Sequence, residues 1–204
     1  MRRQHLVIMV KAPQAGRVKT RLAATIGAVE ALRGYRVLLE GTVRRLGSDR
    51  RWITWLAVTP DGAAPRLAAW ARDIAPVGVS PQGQGGLGER MQRLMDGLPP
   101  GPVVIVGSDI PAIGRRDVAA AFRALGGGDA VFGPAVDGGY WLVGQRRTPR
   151  TLRLFDRVRW SSEHTLADTL ANLKGHSVSH LRTMSDVDGE ADYLRWRRGG
   201  GYPV

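Results

Sequence analysis

Short apolar runs alternate with amphipathic segments along most of the chain. The apolar and β-branched runs predict strands near residues 5–10, 51–59, 74–79, 103–106, 130–133, 140–143 and 176–182. Apolar residues at helical spacing predict helices near 19–26, 28–46, 64–72, 89–98, 115–125, 162–173 and 189–197. Such alternation is typical of a mostly parallel sheet with helices on both faces. The pattern therefore predicts an α/β fold, a three-layer αβα sandwich.

The length and composition narrow the class of protein. A chain of 204 residues fits one α/β domain, which we expect over 1–198 with a loose tail at 199–204. The chain has no cysteine, which excludes a disulfide scaffold, an iron–sulfur cluster and a cysteine nucleophile. The apolar run after Arg2 and Arg3 stops at Lys11, too early for a signal peptide or a membrane span. We expect a cytoplasmic protein.

The chain is strongly basic, with a formal charge of +12. Its arginines are scattered and no block interleaves them with aromatic residues, so nucleic acid is not expected as the main partner. The lysines are more informative. Lys11 and Lys19 share one loop, and Lys174 is the only other lysine in the sequence.

The loop after the first strand predicts a phosphate site. It carries Lys11, Gly16 and Lys19 and leads into a helix start with Arg21. Backbone N–H groups and basic side chains at such a turn attract anions, and a glycine allows close backbone approach. The alternative is an ordinary strand-to-helix turn with solvated basic residues.

Two acidic positions follow later strands. Ser108 and Asp109 come directly after the buried run 103–106, where a carboxylate can hold a hard cation such as Mg²⁺ or Mn²⁺. Asp137 lies in the turn Asp-Gly-Gly-Tyr at 137–140, and it is predicted to bind hydroxyls of a sugar or acceptor. A helix cap at Asp109 and a plain hairpin at Asp137 are the alternatives.

Asp186 and Asp188 stand before the last predicted helix, and either could complete a metal site with Asp109. They could instead complement the dipole of that helix. Trp160 could stack on a sugar or base, or pack as an aromatic before a helix.

Residues 83–88 match G-x-G-x-x-G, with Asp109 about 20 residues beyond, as in dinucleotide-binding proteins. The preceding strand is weak and contains Pro76, so this match is disfavoured. We expect a flexible flap, with Arg90 near the donor phosphates.

Six sequence blocks stand in order along 5–195: Lys-Ala-Pro-x-x-Gly-x-Val-Lys-Thr-Arg (11–21), Gln-Gly-Gly-Leu-Gly-Glu-Arg-Met (84–91), Gly-Ser-Asp-x-Pro (107–111), Gly-Pro-Ala-x-Asp-Gly-Gly-Tyr (133–140), Trp-Ser (160–161) and Asp-Val-Asp (186–188). Together they resemble a family of small bacterial GT-A-type proteins, long catalogued as a domain of unknown function and often labelled glycosyltransferase-like. More distant kin are the guanylyltransferases of 2-phospholactate and molybdenum-cofactor biosynthesis.

The resemblance implies a nucleotide-diphospho-sugar transferase fold of the GT-A type. It implies that Lys19 and Arg21 hold phosphates and that Asp109 holds Mg²⁺ or Mn²⁺, with Asp186 or Asp188 as the second acid. It also implies that the donor sugar or acceptor is lined by Asp137, Gly138, Gly139 and Tyr140. Two features of a standard nucleotidyltransferase are missing. Its Gly-rich N-terminal loop is replaced by Lys-Ala-Pro-Gln-Ala-Gly, and there is no Asp-x-Asp after the fourth strand, because Pro111 takes the second acid's place. Base specificity and the mode of metal binding stay open.

These observations favour metal-assisted transfer from a nucleotide donor, with Asp109 and Asp137 as catalytic residues. Glycosyl transfer from a nucleotide sugar to a small-molecule acceptor is preferred over nucleotidyl transfer with release of pyrophosphate. An NAD(P)-dependent oxidoreductase and a non-catalytic nucleotide-binding protein remain alternatives. We expect Asp109→Asn to abolish metal-dependent nucleotide binding with little change in melting temperature. The sequence leaves the acceptor, the base, the sugar and the oligomeric state open.

Overall fold

The computed structural model describes residues 3–199. Within them the strands are β1 (His5–Lys11), β2 (Ile53–Thr59), β3 (Gly78–Pro81), β4 (Val103–Gly107), β5 (Ala130–Pro134), β6 (Tyr140–Gln145) and β7 (Val178–His180). The α-helices are α1 (Thr20–Ile26), α2 (Ala28–Gly47), α3 (Ala64–Arg72), α4 (Leu87–Gly97), α5 (Arg115–Gly127), α6 (Thr165–Ala171) and α7 (Glu190–Arg197), and a 3-10 turn spans Asp61–Ala63. No described helix is both long and apolar enough to cross a membrane.

The strands form one sheet in the order β3-β2-β1-β4-β6-β5-β7. Strand β6 is antiparallel to its neighbours β4 and β5, and the other pairings are parallel. The ends of β1 and β4 therefore lie at the same sheet edge as the turn between β5 and β6. This edge collects the loops whose side chains were predicted to be functional.

The alternation of side chains along β1 places a core on each face of the sheet. Leu6, Ile8 and Val10 pack with residues of α2, α3 and α5 on one face. Val7 packs on the other face with a cluster that includes Met91 and other residues of α4. The mostly parallel three-layer αβα sandwich is confirmed.

Most element bounds agree with the sequence pattern, but the prediction of a strand over 74–79 is wrong for its first residues. The backbone amides of Ile74 and Ala75 donate to the carbonyl of Ala71 and so continue the end of α3. Strand β3 starts only at Gly78, opposite Trp55 of β2. The predicted tail at 199–204 lies, apart from Gly199, outside the described residues.

Candidate active site

Two predicted site residues, Lys19 and Asp109, form a partly buried ion pair. Lys19 Nζ lies 2.6 Å from Asp109 Oδ2, with the lysine side chain 8% exposed and the aspartate 27% exposed. Burial alone would lower the pKa of Lys19, but the carboxylate of Asp109 overcomes this effect and raises it. Lys19 has a left-handed backbone (φ 47°, ψ 50°) just before α1. The loop after β1 and the end of β4 are thus joined through opposite charges.

Tyr35 of α2 holds the same two strand ends together through one hydroxyl group. Its oxygen accepts a bond from the Lys11 amide (3.1 Å) and donates to the Lys11 carbonyl (2.8 Å). It also lies 3.3 Å from Ser108 Oγ. Burial raises the pKa of this phenol to about 12. The sequence pattern marked Tyr35 only as a core position of the helix, so its role in positioning Lys11 and Ser108 was missed.

The segment 186–188 joins this cluster through the backbone. The amide of Val187 donates to the Asp109 carbonyl at 3.2 Å, and its side chain is fully buried. Asp186 and Asp188 flank this anchor. Asp188 Oδ2 accepts from Arg21 Nη1 at 2.7 Å in an exposed ion pair. Two basic residues that were predicted to bind phosphates are therefore paired with carboxylates that were predicted to bind a metal.

Asp109 and Asp188 are paired with basic residues, but the neighbouring Asp186 is not. Its side chain makes no hydrogen bond or ion pair within residues 3–199. Burial raises its pKa to about 6, and the negative charge of Asp109 adds to the shift. Asp188 and Asp137 act in the same direction. Within that described range, no three His, Cys, Asp or Glu side chains are grouped closely enough to hold a metal ion. The joint metal role of Asp109, Asp186 and Asp188 stays a prediction.

A cavity of about 420 Å³ opens on one side of Asp109. We call it the cationic cavity, because it is lined by Lys11, Lys19, Arg21 and Arg90, together with Gln82, Ser108 and Asp188. Gln82 is buried and fixes Arg90, whose Nη1 donates to Gln82 Oε1 at 2.9 Å. Gln82 Nε2 in turn donates to the carbonyl of Ala57 at 2.7 Å. No local sequence signal had marked Gln82.

A second cavity of about 260 Å³ opens on the other side of Asp109. We call it the aromatic cavity; its walls include Met9, Met91, Tyr140, Trp141 and Trp160, with Asp137, Gly139 and Asp186 among the polar residues. The two cavities share Met9, Leu87, Gly107 and Asp109. A ligand that spans both would pass directly over Asp109.

The turn at 137–140 is both a hairpin connection and a wall of the aromatic cavity. Asp137 Oδ1 accepts from the Gly139 amide at 2.9 Å, which holds the turn. Trp160 likewise has two contacts, since its ring packs 6.0 Å from that of Phe155 while it lines the aromatic cavity. At both positions the structural interpretation of the sequence is confirmed, and the functional one stays a prediction.

Two predicted glycines do not line either cavity. Gly16 has a positive φ of 70° and no atom within 4 Å of the place where a Cβ would stand. Gly138 has φ 84° and packs against the backbone of Glu163. Both are required by the backbone conformation, and Gly138 also by a close approach.

The Gly-rich loop follows an edge strand, since β3 pairs only with β2. Its backbone is tied at two points: the amide of Gly83 donates to Asp61 Oδ1 at 3.0 Å, and that of Gly86 to Glu89 Oε2 at 2.7 Å. Helix α4 then starts at Leu87 and presents Arg90 to the cationic cavity.

Comparison with known families gives a clear assignment. The model of the family described as "Uncharacterized protein conserved in bacteria (DUF2064)" matches residues 42–162. The chain belongs to this family. No curated protein matches the chain.

Solved structures share the fold of this DUF2064 protein. A candidate nucleotide-diphospho-sugar transferase from Desulfovibrio desulfuricans is 31% identical, with a TM-score of 0.86 over 98% of this chain and 88% of that one. A nucleotidyl transferase from Methanothermobacter is 13% identical, with a TM-score of 0.64 and 97% of each chain covered. A Mycobacterium tuberculosis protein solved as a complex with manganese is 17% identical, with a TM-score of 0.52 over 95% and 97% of the two chains. The predicted GT-A-type fold is confirmed; the kinship with the two guanylyltransferases stays a prediction.

The raised pKa of Asp186 leads to a testable effect on the stability of the DUF2064 protein. An acid whose folded pKa of about 6 lies above its ordinary 3.8 favours folding below pH 3.8, and this contribution is lost as the pH rises through 6. Asparagine stays neutral, so Asp186→Asn should be about 2 kcal/mol more stable than wild type at pH 7.5. The two proteins should converge near pH 4.

Urea unfolding in EDTA at both pH values measures this difference. Asp73→Asn, at an exposed position, is the control. An unchanged difference between pH 4 and pH 7.5 would contradict the assigned ionisation.

Proposed function

We propose that this protein transfers a sugar from a nucleotide-sugar donor to a small acceptor. The observation that carries the proposal is the meeting of a cationic and an aromatic cavity at Asp109. A nucleotide sugar has a polyanionic part and an uncharged part. The basic residues of the cationic cavity suit the polyanionic part, and the aromatic rings of the second cavity suit the uncharged sugar.

The cationic cavity supplies fixed positive charge to the donor's diphosphate. The Lys19 side chain is buried and contacts Asp109, which lines both cavities. Arg90 is held by Gln82. Preorganised charges of this kind stabilise a leaving phosphate without reorganisation during the reaction. Arg21 is exposed and can leave Asp188 at little energetic cost. In this proposal Lys11, Lys19, Arg21 and Arg90 bind the donor phosphates, with Ser108 beside them.

The carboxylates at this edge fit a divalent cation. Asp186 is part-buried beside other negative charges and has no partner among the described side chains, and oxygen ligands suit Mg²⁺ or Mn²⁺. Asp109, with Asp186 or Asp188, would hold the ion. When bound, it would offset the charge that develops on the leaving diphosphate.

The proposed reaction breaks the bond between the anomeric carbon and the phosphate oxygen. The nucleoside diphosphate leaves with that electron pair, and an acceptor oxygen forms the new bond to the anomeric carbon. The proton of the acceptor passes to the carboxylate of Asp137 at the cavity rim and then to water. In this proposal Gly139, Tyr140 and Trp160 position the sugar and the acceptor. Gly16 and Gly138 act only through the backbone.

A panel of donors tests the proposal by thermal shift with Mg²⁺ or Mn²⁺. It compares nucleotide sugars, nucleoside triphosphates and NAD(P)H. A nucleotide sugar at about 100 times its Kd should raise the melting temperature by about 5–10 °C. Arg90→Gln should weaken donor binding by about tenfold, whereas Arg123→Gln, on the exposed side of α5, should not.

The reaction products then separate the possible chemistries. Release of a nucleoside diphosphate supports glycosyl transfer. Release of pyrophosphate from a triphosphate would replace it with nucleotidyl transfer. A metal-independent shift with NAD(P)H alone would assign the site to a dinucleotide and overturn the proposal, and tight donor binding without turnover would leave a binding protein.

A further inference from the structure

The aromatic cavity differs from its neighbour in the sign of its charges. Its charged lining residues among the described ones are the carboxylates Asp109, Asp137 and Asp186, and its described lining contains no Lys, Arg or His. Lys19 neutralises Asp109 from the side of the cationic cavity. Two carboxylates therefore face the aromatic cavity without a cation.

Without a bound metal ion, neither Asp137 nor Asp186 makes an ion pair within residues 3–199, so both can repel an anionic ligand. The carboxylate of Asp137 holds its own turn by accepting from Gly139. Asp186 has no hydrogen-bond donor within residues 3–199. A phosphate or carboxylate that entered the cavity would meet like charges and would find no basic side chain there. An ammonium group or a neutral hydroxyl would find acceptors.

Apart from Ser161, Ser162 and Thr165, the rest of the wall is formed by apolar and aromatic residues and glycine. Trp141 is buried and its Nε1 donates to the Arg182 carbonyl at 3.0 Å. Trp160 packs on Phe155, and a Cβ on Gly88 would stand 2.8 Å from its ring. Flat aromatic surfaces bind the apolar face of a ring, and they also attract a cation. The volume of about 260 Å³ lies below the ~300–1,000 Å³ of pockets for drug-sized ligands, which limits the occupant to a small molecule.

From this we infer that the acceptor is a small alcohol or amine with an apolar face and without a phosphate or carboxylate group. Asp137 and Asp186 exclude anionic acceptors. That the ligand acts as an acceptor rests on the proposed function. Its chemical class rests on the cavity itself. It follows that phosphorylated metabolites enter this site only as part of the nucleotide donor, through the cationic cavity.

Four probes that share one ring and differ in charge test this inference. They are benzylamine, benzyl alcohol, benzoate and benzyl phosphate. Saturation-transfer NMR in EDTA, and again with Mg²⁺, measures their affinities for the full chain. Binding in the aromatic cavity is scored as the part that Trp160→Ala removes. In EDTA we expect this part to be at least about tenfold tighter for the amine and the alcohol than for the two anions. With Mg²⁺ the preference should shrink, because an ion at Asp186 would offset its charge.

Substitutions assign the effect to the cavity. Asp137→Asn with Asp186→Asn should bring the benzoate and benzyl alcohol affinities to within about threefold, and each single variant should give part of that change. Trp160→Ala should weaken the binding of all four probes. The control Asp73→Asn should change none of these affinities. Circular dichroism confirms that each variant is folded.

Two results would overturn the inference. One is equal or tighter binding of benzoate or benzyl phosphate in the aromatic cavity of the metal-free wild-type chain, scored as the binding that Trp160→Ala removes. The other is the absence of binding by all four probes at millimolar concentration. Nucleotide binding is measured separately on the same samples, so a failure of the proposed transfer reaction shows there and not in the ratio of probe affinities.

Discussion

Replacing Asp109 with asparagine should destabilise the metal-free protein by about 3 kcal/mol, or about 6–12 °C in melting temperature. The reason is its partner. Lys19 is 8% exposed and lies 2.6 Å from the carboxylate, so the variant leaves a buried ammonium with only the weaker attraction of Asp186 and Asp188. The ion pair thereby revises the expectation from sequence that Asp109→Asn would hardly change the melting temperature. Metal-dependent nucleotide binding should be lost in the same variant.

The chain offers a matched control for this effect. Asp188→Asn breaks an ion pair of similar length, 2.7 Å to Arg21, but with both partners exposed. It should cost less than about 1 kcal/mol. Lys19→Met combined with Asp109→Asn should recover part of the lost stability, because the buried ammonium is then removed, although Asp186 loses the favourable charge of Lys19. Urea unfolding of the wild type, Lys19→Met, Asp109→Asn and the double variant in EDTA gives the coupling energy. Asp188→Asn is measured beside them. Equal costs for the Asp109 and Asp188 substitutions would show that burial does not strengthen the Lys19–Asp109 pair.

The substitution Gly138→Ala should cost about 3 kcal/mol of stability through backbone strain and a steric clash. Its φ of 84° is unfavourable for alanine, and the added Cβ would stand 2.3 Å from the carbonyl oxygen of Glu163. The Gly138 carbonyl also accepts from the Leu166 amide at 3.0 Å, so the turn and α6 would have to move together. Tyr140 lies directly after the turn, and Trp160 lies shortly before α6. Both line the aromatic cavity and should be displaced.

Gly16→Ala separates strain from clash. Gly16 has a similar φ of 70°, but a Cβ there would meet no atom within 4 Å. It should cost only about 1 kcal/mol. Urea unfolding measures the free energy of unfolding of both variants, and tryptophan fluorescence reports the environment of Trp160. Equal losses of stability would mean that the contact with Glu163 relaxes at no cost.

Local patterns in the sequence determined most of the elements. The apolar run before Lys11 gave the first strand, and the helical spacing of apolar residues gave α2 and the bounds of α3. These features depend on neighbours within a few residues, which a pattern of hydrophobic positions records directly. The loops after β1 and β4 were predicted as site loops for the same reason, since the carboxyl ends of parallel strands share one edge.

The tertiary structure decided which side chains of the candidate site contact one another. Lys19 meets Asp109, and Tyr35 meets both Lys11 and Ser108, only because β1 and β4 are neighbours in the sheet. No local pattern encodes that order. The same holds for Gly138, whose need for a small residue comes from Glu163 on a later segment.

The sequence by itself thus determined the three-layer class, the edge that carries the candidate site and most of the charged residues gathered there. The tertiary structure decided which charges neutralise one another and which stay unpaired, because that depends on burial and on distances between segments far apart in the chain. For this reason the cationic and aromatic cavities on the two sides of Asp109 became visible only in the folded protein.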